Sequence, residues 1–166
     1  MANIEAAIRY VLSWEDPTLS GVVTVDSGGR TRFGIAERSH PELAASLFYT
    51  SMGSVAALKT AEGIYGREYA EPLCIGLLKD QAVANKVLSL GVNCGVTVAA
   101  KMLQDAVGVE GDGRIGPLTL AASDDADPEK LLSALCDQAA ARYEQIVQEN
   151  PEDAKYLAGW LRRANA

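Results

Sequence analysis

WEDPTLSGVVTVDSGGRTRFGIA, residues 14–36, is the one stretch of this 166-residue chain that reads as β structure. Pro17 disfavours helix at the residue before it, so a helix arriving from the N-terminus stops near Glu15. Val22, Val23, Thr24 and Val25 are β-branched, and Gly28-Gly29 permits a tight turn. Thr31-Arg32-Phe33-Gly34-Ile35 then returns as a second short strand. The segment predicts a small hairpin or irregular loop with Asp26 at its tip.

Outward from this segment the chain is helical. Upstream, Ile4, Ala7, Ile8, Val11 and Leu12 fall on one helix face, and Asn3 suits the N-cap. Downstream, Pro41 to Tyr49 reads as a short helix. Ser54 to Tyr69 carries Val55, Leu58, Ala61, Ile64 and Tyr65 at helical spacing, with Ser54 as cap. Further helices are expected from Asp80 to Leu90 and on toward Asn93, and from Val96 to Val107, where Gly108 marks a stop. Residues 110–117 form a loop, and Pro117 opens a short helix through Ala122. Asp127-Pro128 opens a long helix to about Glu149, and Pro151 starts a last one. The fold class is therefore mainly α, with one small β-hairpin near the N-terminus.

Hydrophobic residues make up 48% and charged residues 22%, an ordinary globular composition. No apolar run approaches the ~18 residues of a membrane span. The opening Met1–Glu15 lacks a basic start, an apolar block and a small-residue cleavage site. The expectation is synthesis in the cytoplasm, with a holin or other export route if the substrate lies outside. A net charge of −7 argues against general nucleic-acid binding and gives no long-range steering toward an anionic surface. Cys74, Cys94 and Cys136 have no metal-ligand spacing, and their odd number suits buried or partly buried thiols. No metal or organic cofactor is implied. Oligomeric state is not legible.

Hydrolysis of a glycosidic bond commonly uses two carboxyl groups, roughly 5–10 Å apart in space. One protonates the leaving oxygen, and the other activates water, attacks, or stabilises the transition state. A helix end facing a hairpin supplies such a pair, and Glu15 and Asp26 are disposed in sequence that way. Trp14 beside Glu15 would desolvate it and favour the protonated acid. Asp26, among Thr24, Ser27 and Thr31, would stay ionised, and Thr31 would orient a water. On these residues alone, solvated surface carboxylates are the commoner explanation.

The segments WEDPTLSGVVTVDSGGRTRFGIA, AEGIYGREYAEPL, GVNCGVTVAAKMLQDAVGVEGDGRIGPLTLAA and YLAGWLRR occur in one order. Together they resemble glycoside hydrolase family 108, the N-acetylmuramidase-type lysozymes with a C-terminal peptidoglycan-binding-like region. Asp26-Ser27-Gly28-Gly29-Arg30-Thr31 and Phe33-Gly34-Ile35 match the N-terminal signature. The resemblance implies a lysozyme-like fold, with a catalytic region over 1–90 and a peptidoglycan-binding-like helical region over 91–166 packed into the same globule. It also implies cleavage of the β-1,4 bond between N-acetylmuramic acid and N-acetylglucosamine in peptidoglycan glycan strands. Glu15 takes the catalytic glutamate position, and Asp26 and Thr31 complete a triad like that of related phage lysozymes. The chain departs from the family at Asp16-Pro17-Thr18, where Gly-Gly-aromatic is usual. It departs again at Ala70, where Trp is usual, and at Ser89, where an acid is common. The alternative reading is a non-catalytic or diverged peptidoglycan-binding protein on the same scaffold.

Asn93, in Val92-Asn93-Cys94-Gly95, is a candidate sugar contact on a cleft floor or a helix-end backbone partner. Tyr65 and Tyr69 join it as candidate substrate-binding residues, although helical apolar spacing also suits Tyr65 to the core. The glycines, Asp112 and Pro117 of residues 111–119 favour a structural loop over ligand contact. His40 has no nucleophile motif around it. Trp160 packs the last helix down, with Arg162 and Arg163 near its negative end.

Overall fold

The computed structural model describes residues 1–26 and 29–166, with the Asp26 side chain also outside the described residues. The first helix, α1, runs Ile4–Glu15, and the Ala6 N–H donates to Asn3 Oδ1 at 2.9 Å. This is the cap expected of Asn, which satisfies one of the four free N–H groups at a helix start. Ala7, Ile8, Val11 and Leu12 are buried along its inner face. Glu15 is its last residue.

Three antiparallel strands follow: β1 Thr24–Asp26, β2 Gly29–Arg32 and β3 Ile35–Ala36, in the order β1-β2-β3. Thr24 pairs with Thr31 and Asp26 with Gly29, while Thr31 also pairs with Ala36. The expected hairpin is thus corrected to a three-stranded sheet, and Val22 and Val23 stay outside it. The reason is a sharp reversal at Phe33 and Gly34, whose φ angles are 50° and 76°. For Phe33 that conformation costs about 1–2 kcal/mol. Ser27 and Gly28 lie outside the described residues.

Two helical expectations also change. Pro41 to Tyr49 forms only a 3-10 turn at Pro41–Ala44, followed by further turns. Leu47 lies in the left-handed region at φ 63°, which interrupts any helix there. The helix expected from Ser54 to Tyr69 is α-helical only over α2, Ser54–Tyr65, and then widens into a π turn at Gly66–Ala70. Gly53, not Ser54, holds its cap position. The Ser54 hydroxyl donates instead to the Ser20 carbonyl at 3.2 Å.

The remaining helices are α3 Gln81–Cys94, α4 Val96–Ala106, α5 Pro117–Asp125, α6 Pro128–Glu149 and α7 Ala154–Ala164. Asp80 and Asp127 cap α3 and α6 through their carboxylates. Helix α3 is the centre of the molecule. It packs against α1, α4 and α6, and it buries residues on nearly every side from Val83 to Gly91. A helix apolar all round belongs inside a core. Two polar residues, Lys86 and Ser89, are buried with the rest. Helix α7 packs on α6, where Trp160 lies between Tyr143 and Tyr156 with ring centroids 5.6 and 5.7 Å away. The three cysteines are free thiols, partly buried as expected. No helix among the described residues is long and apolar enough to cross a membrane.

Candidate active site

Glu15 ends α1 on the wall of an open cleft of about 240 Å³, also lined by Asp16, Pro17, Ser20, Thr24, Thr31 and Gly34. Helix end and sheet thus face one space, and Thr31 reaches it from the middle strand. The backbone of Asp26 belongs to β1, two residues beyond Thr24. The Glu15 side chain is 24% exposed. A carboxyl at this depth is both reachable by substrate and held by protein.

The loop from Asp16 to Gly21 is organised by the Asp16 carboxylate. The Asp16 carboxylate accepts the Gly21 N–H at 2.7 Å, and the Ser20 and Thr18 hydroxyls at 3.3 and 3.2 Å. Its slight burial pushes the carboxyl up, but the N–H groups of Gly21 and Ser20 and the two hydroxyls outweigh this and hold it below 3.8. Asp16-Pro17 therefore opens a turn held by one side chain.

Arg32 fixes this loop to the rest of the fold. It is buried in β2, where Nε donates to the Gly21 carbonyl at 2.7 Å. One terminal nitrogen donates to the Phe48 and Met52 carbonyls at 2.7 and 2.8 Å. A buried charge is tolerable where polar partners surround it, and the Arg fork meets three segments at once. Sequence reading missed this residue, because an arginine in a short polar strand reads as exposed.

Gly34 sets how closely sheet and helix approach. A Cβ built there would collide with the Tyr65 hydroxyl and lie 2.9 Å from Glu15 Cγ. Tyr65 is only 1% exposed, and its hydroxyl donates to the Phe33 carbonyl at 3.0 Å. Burial raises the phenol's pKa most, Glu15 and Tyr69 add to this, and Arg163 opposes it. Tyr65 is thus a neutral, buried brace behind Glu15 that secures the strained Phe33 turn. Tyr69, 5.9 Å from it ring to ring, is partly buried, and burial, then Glu68 and Glu15, push its phenol up. Asn93, in the last turn of α3, donates to the Tyr143 hydroxyl at 2.5 Å. None of these three lines the cleft.

Trp14 does not supply the surroundings expected for Glu15, since it is 37% exposed. The group against the carboxylate is Arg163, from the far end of the chain, whose Nη1 donates to Glu15 Oε1 at 2.7 Å. Arg163 Nε donates to Ser89 Oγ at 3.0 Å. No local sequence signal points to this pair. The doublet Arg162-Arg163 reads equally well as a complement to the helix dipole.

Other residues weighed from sequence fall elsewhere. His40 lies near Glu42 and Glu68, at 3.2 and 3.5 Å. Asp112 accepts from Gln104 Nε2 at 2.7 Å and from the Arg114 N–H at 2.8 Å, while the Gly113 N–H donates to Gln104 Oε1. The buried Gln104 organises the loop from within, which is the structural role expected of that segment.

A glutamate at a helix end, facing a short sheet across an open cleft inside a mainly helical fold, defines a lysozyme-like glycoside hydrolase. The glycosyl hydrolase 108 model matches residues 8–95, more than half of the chain, and the chain belongs to that family. A second model, described as a predicted peptidoglycan domain, matches residues 98–165. Together the two matches make the chain a peptidoglycan hydrolase. The solved structure of Brucella abortus SagA is similar at 25% identity, with a TM-score of 0.73, over 98% of this chain and 89% of that one. Comparison with curated proteins gives no match.

Proposed function

We propose that this enzyme hydrolyses the β-1,4 bond between N-acetylmuramic acid and N-acetylglucosamine, with Glu15 as general acid. The observation that carries this reading is the shared cleft: Glu15 at the end of α1 and Thr31 on β2 line the same open space. Asp26, on β1, takes the role of second carboxylate by its place in the signature and on the strand. Glu15 gives its proton to the glycosidic oxygen as the bond from C1 to that oxygen breaks. The ring left behind carries positive charge, which a carboxylate stabilises. One water adds at C1, its surplus proton returns to the enzyme, and the two sugars leave with one water added across the bond. Thr31 orients the water or the Asp26 carboxylate.

The test uses purified peptidoglycan and measures reducing ends released. Glu15→Gln keeps the shape and removes the transferable proton, and is expected to lower the rate about 10²- to 10⁴-fold. Equal activity in variant and wild type would remove Glu15 from this role. Borohydride reduction of the products, followed by acid hydrolysis, identifies the bond. Reduced muramic acid is expected, whereas reduced glucosamine would overturn the assignment.

A further inference from the structure

The site contains a residue that neither the sequence signature nor the general chemistry assigns. Arg163 sits in the last turn of α7, within the region matched by the peptidoglycan model, yet it touches the end of α1. Its side chain is 11% exposed, and its guanidinium divides its donors between two helices. Nη1 meets Glu15 Oε1, Nε meets Ser89 on α3, and Nη2 is buried with no partner among the described residues.

The helix end that carries Arg163 is itself held. Lys86, 2% exposed in the middle of α3, donates to the Arg163 carbonyl at 3.1 Å, to the Ala164 carbonyl, and to the Ala166 carbonyl at 3.4 Å. The Arg163 and Ala164 carbonyls end α7 and have no intrahelical partner, so a cation there satisfies them and complements the dipole. A lysine this deep would otherwise be costly. Its place is explained by what it fixes. Ser89, one turn further along α3, then takes Nε and sets the angle at which the guanidinium reaches Glu15.

We propose that Arg163 is a positioning residue for the catalytic acid, and that Lys86 and Ser89 hold it in place from α3. The inference rests on the assignment of Glu15 as general acid. Arg163 binds Oε1 through a short, charge-assisted hydrogen bond and fixes the carboxyl rotamer. No described side chain bonds to Oε2, which is left as the oxygen that carries and donates the proton. When that proton goes to the leaving oxygen, a negative charge appears on Glu15, and Arg163 already lies against it. Such a preorganised cation acts on the transition state more than on substrate binding. The C-terminal region thereby completes the active site. The neutral Ser89 hydroxyl orients the guanidinium without competing with Glu15 for its charge.

Steady-state hydrolysis of soluble, uncrosslinked glycan strands tests this, with thermal melting as a check on folding. Arg163→Gln is expected to lower kcat about 10- to 100-fold with KM changed less than about threefold, the effect of misplacing a catalytic group by about an ångström. Arg163→Lys should recover part of the loss, because it keeps the charge and loses the fork. Lys86→Met should lower kcat in the wild-type background and have no further effect on kcat when Arg163 is already Gln. If Arg163→Gln melts as wild type and keeps its kcat, or if only KM rises, the proposal fails. If Arg163→Gln does not fold, the decision passes to Arg163→Lys, and a folded Lys variant whose kcat equals wild type with no added effect from Lys86→Met also ends it. Glu15→Gln separates the two claims: inactive Glu15→Gln beside fully active Arg163→Gln defeats the positioning role alone, while active Glu15→Gln defeats the assignment of the acid.

Discussion

The two walls around Glu15 are built in opposite ways. On the sheet side, Asp16, Gly21, Thr31, Phe33 and Gly34 all lie within 20 residues of the glutamate, and they are joined by short-range contacts through Asp16 and Arg32. On the helix side, Arg163 comes from 148 residues away and is steered by Lys86 and Ser89 of the central helix. The sheet wall is a local motif that can be recognised as a string. The helix wall exists only when α1, α3 and α7 pack together. An active site can thus have its chemistry written in one short segment and its alignment distributed across the whole chain.

Substitutions on the sheet wall sharpen this contrast. The largest effect is expected at Arg32. Arg32→Met removes donors to the carbonyls of Gly21, Phe48 and Met52 and leaves them buried, at a cost of about 3 kcal/mol. Urea denaturation measures it. A loss below about 1 kcal/mol would mean that the loop is held by something else.

Gly34→Ala comes next. The new methyl meets Tyr65 and Glu15 Cγ at a backbone angle that side chains rarely adopt. Strain of about 1–3 kcal/mol and a fall in kcat of about 10-fold are expected, since the methyl displaces the Glu15 side chain. Wild-type kcat in Gly34→Ala would show that Glu15 tolerates movement, and would weaken both walls as positioning devices.

The smallest effect belongs to Asp16. Asp16→Ala should cost about 1 kcal/mol at neutral pH by freeing the Gly21 N–H and the Thr18 and Ser20 hydroxyls. The carboxyl is held below 3.8 in the folded state, so its contribution is present above that value. It is lost as pH falls through the lowered folded value. Melting curves of wild type and variant should therefore converge only in that acidic window. Curves that converge near neutral pH would assign the stabilisation to another group.

Much of the fold was legible in sequence because its signals are local. Asn3, Asp80 and Asp127 cap helices through side chains that reach three residues ahead, and Pro117 and Pro128 open helices. The departures came where backbone geometry overrode residue preference. Phe33 takes a positive φ despite its bulk, because the Tyr65 hydroxyl, from a helix 32 residues away, holds its carbonyl. Leu47, at positive φ, breaks the segment that Pro41 opens. Asp16-Pro17 forms a turn in which hydrogen bonds converge on the Asp16 carboxylate.

By itself the sequence determined that this chain is mainly helical with one small β element. It placed Glu15 at a helix end, and it carried the Asp26–Ile35 segment within the stretch that the glycosyl hydrolase 108 model matches. These follow from spacing, caps and turns, which act over a few residues. Tertiary structure alone decided what surrounds Glu15. Tyr65 became a buried brace instead of a sugar platform, Trp14 stayed exposed, and Arg163 arrived from the last helix. A carboxylate's working environment is set by the few groups within hydrogen-bond reach, and the packing of distant helices chooses those groups.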